Sequence, residues 1–299
     1  MSTRCSHLSH RRRVAAFAIA TALMAVIPAS VSAQRGRGGT PGPMRDAAQL
    51  DIDGKTAQAR AIYQSVLDTV SVAATRADVQ RAMAMSYAFD GDCANTLKYE
   101  QMVIDYWKTR EQAEPQNAFY QEGEMANEGA RVCIDVGDLD AAEQWYRKGY
   151  ALGTSEPAPQ THPKSLWDYR LAHALGRIAA RRGDKAEAER QIADARRALD
   201  GDSAMAAQQE RFFPYLVGYV ALYTGDLKTA ETEFSKMLAM RGNQNDPFMT
   251  YLLALTYEKL GDREKADGLY RKAYELARAH NPPAAFVRPL VRKKLGLGG

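Results

Sequence analysis

The chain has 299 residues, 45% of them hydrophobic and 25% charged, and a formal net charge of +4. Residues 1–33 hold Arg4, Arg11, Arg12 and Arg13 and no acid, which leaves 36 bases against 36 acids in the remainder. The basic balance therefore vanishes with the first segment, and charge gives no reason to expect nucleic acid or an anionic membrane surface as a partner.

Residues 1–33 carry the three parts of a secretory signal: a basic start through Arg13, an apolar run over 14–27, and the small residues Val31 and Ala33 ahead of Gln34. Cleavage is expected after Ala33. The apolar run is short for a bilayer-spanning helix, Pro28 closes it and no second such run follows, so no membrane span is expected after processing. Cys5 precedes the run, where it cannot bear the lipid of a lipoprotein. Arg11-Arg12-Arg13-Val14-Ala15 partly resembles the twin-arginine export signal, and general secretory and twin-arginine export both stay open. The mature chain is expected in the periplasm or outside the cell. Residues 34–43, QRGRGGTPGP, hold too much Gly and Pro to propagate a helix and are expected to form a flexible leader.

From residue 44 to 280 a glycine turn recurs at Gly54, Gly91, Gly137, Gly183, Gly225 and Gly261, followed by Asp in every case but Lys55. The spacings of 37, 46, 46, 42 and 36 residues are too short for domains and too long for heptads, so each period is expected to be one helix-turn-helix stacked on its neighbours. Seven residues before the turn stand Ala47, Ala84, Ala130, Gly176, Gly218 and Ala254; five after it stand Ala59, Thr96, Ala142, Ala188, Ala230 and Ala266. Small residues at both places let two helices cross closely. Nine after the turn, Tyr63, Tyr146, Ile192, Phe234 and Tyr270 supply a large side chain, whereas Glu100 departs from the pattern. Asp92, Asp138, Asp184, Asp226 and Asp262 are placed to cap the second helices, and Asp184 with Glu187 suggests a capping box. The two longest periods carry their excess near 112–120 and 153–163, which predicts longer first helices in the third and fourth repeats. Beyond Asn281-Pro282-Pro283, over 281–299, the stripe Phe286, Leu290, Val291 and Leu295 is expected to cap the last repeat, kinked or started anew at Pro289.

This phased pattern resembles the tetratricopeptide repeat (TPR) family, most fully in ALTYEKLGDREKADGLYRKA over 254–273. The resemblance implies an all-α fold, a right-handed α-solenoid of about six helix-turn-helix repeats, whose first helices line a concave groove that holds other chains. Positions ten and six before each turn glycine then face the groove. That face, with residues one turn further back, shows Arg81, Asn127, Arg131, Arg170, His173 and Arg177 in repeats two to four, among the acids Asp78 and Glu124, and Phe212, Tyr215, Tyr219, Phe248 and Tyr251 in repeats five and six. One half is cationic and the other aromatic, which suits an extended peptide with an acidic and an apolar portion. The Lys-Asn-Asn-Lys-Arg set with which some members hold a terminal carboxylate is not reproduced. The plainer alternative is that the arginines pair with Asp78 and Glu124 while the aromatics pack against a neighbouring helix.

Cys93 and Cys133 fall at one edge of the expected stack, where a disulfide and two free buried thiols are both open. No H-E-x-x-H, G-x-S-x-G, G-x-x-x-x-G-K-[ST] or paired C-x-x-C motif is present, and His162, His173 and His280 are scattered. No enzymatic activity, cofactor or metal site is expected. The leading expectation is a scaffold binding another protein or a peptide. The alternatives are a structural subunit that assembles with itself or with one permanent envelope partner, and a binder of small molecules or glycans through the aromatic half.

Overall fold

A computed structural model describes residues 42–297. The expected signal segment, its cleavage site and most of the leader lie outside the described residues. Gly42 and Pro43, expected in the leader, open the first helix instead.

Among the described residues the chain is all-α, and its helices pair into six hairpins around the six glycine turns. They are α1 (Gly42–Ile52) with α2 (Thr56–Thr69), α3 (Ala73–Phe89) with α4 (Cys93–Lys108), and α5 (Pro115–Val136) with α6 (Leu139–Thr154). There follow α7 (Lys164–Arg182) with α8 (Lys185–Gly201), a short α9 (Ser203–Gln209) with a 3-10 turn (Glu210–Phe212), α10 (Phe213–Thr224) with α11 (Leu227–Ala239), α12 (Pro247–Leu260) with α13 (Arg263–Leu276), and a last helix α14 (Pro282–Leu295). Helices α5 and α7, of 22 and 19 residues, are the long first helices that the extended periods predict. The insert 203–212 between the fourth and fifth hairpins was not legible as a helix of its own.

The hairpins close as the size pattern requires. All six turn glycines have positive φ, between 70° and 92°, a conformation that ends a first helix without a Cβ clash. Asp92, Asp138, Asp184, Asp226 and Asp262 each accept a hydrogen bond from the backbone N–H three residues on, so five second helices start on a capped N-terminus. The capping box at Asp184 is one-sided, because the Glu187 carboxylate is taken by Arg190 and Gln191. The small residues at the crossings are buried, and Gly218 leaves its space to the Phe234 ring. Ile192 is only partly buried, and the neighbouring Gln191 takes the inner position in α8.

Among the first helices α1 packs on α3, α7 on α10 and α10 on α12, which makes theirs the inner side of the array. Helix α14 corrects two expectations. It continues as one helix through the exposed Pro289 rather than starting anew there, and it does more than cover the last hairpin. It packs on α12 and α13 and also on α1, α3 and α5, so the end of the array meets its beginning.

The closure is polar as well as apolar. Arg288, buried, donates from Nε to the Ile52 carbonyl at 2.6 Å and from Nη1 to the Ala277 carbonyl at 3.0 Å, serving orphan carbonyls at the ends of both α1 and α13. Arg292 Nη2 reaches the same Ile52 carbonyl at 3.3 Å. His280 Nε2 lies 2.7 Å from Asp51 Oδ2, and Ser86 donates to the other oxygen of Asp51 at 2.6 Å. A buried carboxylate in the first hairpin is thus satisfied by α3 and by the segment leading into α14.

Candidate functional site

The inner side of the array is recessed, and the recess is partly open. Its centre holds a cavity of about 260 Å³. Helix α5 contributes Glu124, Asn127, Glu128 and Arg131, and α7 contributes Tyr169, Arg170, His173 and Arg177. On both helices these residues recur every three or four positions, which puts them on one face. Tyr146 of α6, Gln209 and Phe212 of the insert, Tyr215 of α10 and Pro282 at the start of α14 complete the wall.

Seven residues expected in the groove from sequence therefore meet in one place: Asn127, Arg131, Arg170, His173, Arg177, Phe212 and Tyr215. Arg81, Tyr219, Phe248 and Tyr251 lie outside the lining. Arg81 stands behind the wall and holds Glu128 in a two-point pair, Nε to Oε1 at 3.1 Å and Nη2 to Oε2 at 2.7 Å. Tyr219, Phe248 and Tyr251 are buried in the packing of α10, α12 and α14. The expected aromatic surface is instead interior. Phe248 meets Phe286 of α14 edge to face, with centroids 5.5 Å apart, so the occupant of the aromatic half is the chain's own last helix.

The arginines differ in what they face. Arg170 pairs with Glu124, as the plainer alternative anticipates, and lies over Tyr120 and Trp167. Arg177 donates to the His173 carbonyl at 3.2 Å, to Tyr215 Oη at 2.9 Å and to Tyr146 Oη at 2.9 Å. Burial works against its charge, but Tyr146, Tyr215 and Tyr219 outweigh it, and its pKa is raised. Arg131 lies over the rings of both Phe248 and Phe286, 4.9 Å from each centroid, and its Nε is buried without a hydrogen-bond partner. Among the described residues, neither Arg131 nor Arg177 forms an ion pair with a carboxylate. His173 donates from Nε2 to the Phe212 carbonyl at 3.3 Å; burial first, and then Arg177, push its pKa well down, so the ring is neutral.

Sequence reasoning missed Gln209 and Pro282, which come from the insert and from α14, and it assigned Tyr146 to packing alone. It also missed Asp135, although Asn127, Arg131 and Asp135 follow at four-residue steps along one face of α5. At the edge of the second and third hairpins Cys93 and Cys133 are joined in a disulfide, with Cα atoms 5.0 Å apart. Among the described residues no group of three or more His, Cys, Asp or Glu is arranged to hold a metal, and no helix is long and apolar enough to cross a membrane.

The hairpin α12–α13 with the turn into α14 is where comparison with known families succeeds: a family model for the tetratricopeptide repeat matches residues 250–283. The match covers one hairpin of the array and its exit, and the repeating helical hairpins before it share the same all-helical architecture. No curated protein matches the chain.

Proposed function

We propose that the chain is a non-catalytic, exported scaffold that grips a segment of another protein by inserting an acidic side chain or chain end into the cavity between α5, α7 and α10. One observation carries this reading: two guanidinium groups, Arg131 and Arg177, reach the cavity wall with no carboxylate at ion-pair distance, Asp135 acting on them only through space, beside aromatic faces that suit the apolar neighbours of an acid. The volume of about 260 Å³ admits one or two residues of an extended chain rather than a folded surface. Residues 1–33 and the pairing of Cys93 with Cys133 support export to an oxidising compartment, the periplasm or the exterior.

Titration calorimetry with a short peptide ending in an acidic-apolar sequence tests the reading, with its amidated, acid-free counterpart as control. Binding to the wild-type protein, and a loss on the order of tenfold or more in Arg131→Ala, are expected, since a charge-assisted hydrogen bond contributes about 1.5–3 kcal/mol. Equal affinity for both peptides, or none lost on substitution, contradicts it. The size of the cavity gives a second reading some support, a small anionic molecule as the natural ligand, and such a compound displacing the peptide would favour it.

A further inference from the structure

One turn beyond Arg131 on α5, Asp135 has an oxygen, Oδ2, that is buried without a hydrogen-bond partner. The groups that act on it come from every side of the inner core. Arg131 is on its own helix, and Arg177 and Arg181 are on α7. Tyr215, Tyr219 and Tyr223 face it from α10 and Tyr251 from α12, while Tyr146 of α6 holds Arg177. Burial raises the Asp135 carboxyl, the three arginines oppose the rise, and the net result is a pKa of about 6. Burial pushes Tyr215, Tyr219, Tyr223 and Tyr251 upward, and His173 is held neutral, so in this cluster Asp135 is the charge that changes near neutrality.

We propose that an anion entering the cavity is bound together with a proton taken up from solvent by Asp135, so that the site holds anionic ligands more tightly as the pH falls. This rests on the reading of the cavity as an anion site. At neutral pH Asp135 is the carboxylate that Arg131 and Arg177 share through space. A ligand anion beside them competes for the same positive charge, and the cluster returns to balance when Asp135 becomes neutral. Linkage makes the effect reciprocal: protonation favours the anion, and the anion favours protonation.

Benzenesulfonate serves as the probe, because it is an anion on an apolar body whose own charge does not titrate over the range used. Its affinity for the oxidised chain is measured at about pH 5.5 and about pH 8, and a gain of about tenfold at the lower value is expected for two charges interacting across a partly screened interior. Asp135→Asn should bind equally at both values, at the strength of the wild type in acid. Calorimetry on the wild type between about pH 6 and 7, in two buffers of unlike ionisation heat, gives the proton count without any substitution, and uptake of about half a proton is expected for a shift of about one unit. Binding with no proton uptake and no pH dependence overturns this inference and leaves the cavity reading intact. Absence of binding at both pH values overturns both.

Discussion

Trp167 enters a slot between α5 and α6 that exists because Gly123 and Gly153 have no side chains; a Cβ at either position would fall inside the indole. Gly153→Ala is therefore expected to overpack the third hairpin and cost about 1–3 kcal/mol, read as a lower urea midpoint with an unchanged m-value. The caps form a second class of single-residue effects. Asp226 binds the Thr229 N–H at 3.1 Å and the Thr229 hydroxyl at 2.7 Å, so Asp226→Ala should cost on the order of 1 kcal/mol in the same assay. At this scale the sequence was most readable. Turn glycines, capping aspartates and small crossing residues are local requirements of a helical hairpin, and they are met where the spacing put them. The Trp167 slot was not readable, because Gly123 and Gly153 lie on two helices and gain their meaning from a third.

Helix α14 marks where element-level reading reached its limit. An apolar stripe announces that a helix face needs a partner without saying which partner. Phe286 and Val291 of the expected stripe are buried, but so are Ala284, Ala285, Val287 and Arg288, while Leu290 is 40% exposed. The helix is wrapped on more sides than a terminal cap, since α1, α3 and α5 lie against it as well as α12 and α13. Nothing near residue 288 in the sequence signals a contact with Ile52. The same long-range closure converts the expected aromatic groove into interior, leaving the cavity as what remains of the inner surface. Removing residues 278–299 should therefore open the curve and uncover Phe248 and Tyr251. A larger radius of gyration by small-angle scattering and increased binding of an apolar dye are expected; a truncated chain with unchanged radius and dye binding would show that α14 is dispensable for closure.

On the scale of the whole molecule, the buried acids set a pH dependence whose sign is fixed by their shifts. Burial raises the Glu122 carboxyl to about 7, with Glu111 adding to it, and raises Asp135 to about 6. Glu100 is held well above the usual range by burial and by Glu128. A carboxyl whose pKa is higher folded than unfolded binds more protons when folded, so each of these stabilises the fold in mild acid and loses that contribution as pH rises through its folded value. Glu143 and Glu187, lowered by Arg182 and Arg190, work the other way and lose their contribution only in stronger acid. The melting temperature should accordingly fall between about pH 5 and about pH 8, and Glu122→Gln should recover a few degrees at the upper end, on the order of 1–2 kcal/mol. A melting temperature that rises over this interval contradicts the assignment of these groups as buried and neutral.

The meeting of the two ends of the array is what gathers the arginines and aromatics around one cavity, and a distance between the ends tests it most directly. Spin labels at the exposed Lys55, after α1, and Lys293, near the end of α14, would be measured by pulsed electron resonance in the oxidised protein. Closure predicts a single narrow distribution at short distance, because Arg288 and Arg292 beside one label bond the Ile52 carbonyl beside the other. An open stack of six hairpins, at about 8–10 Å per packed helix layer, would instead separate the labels by roughly 50 Å, and a distribution centred there would contradict the account.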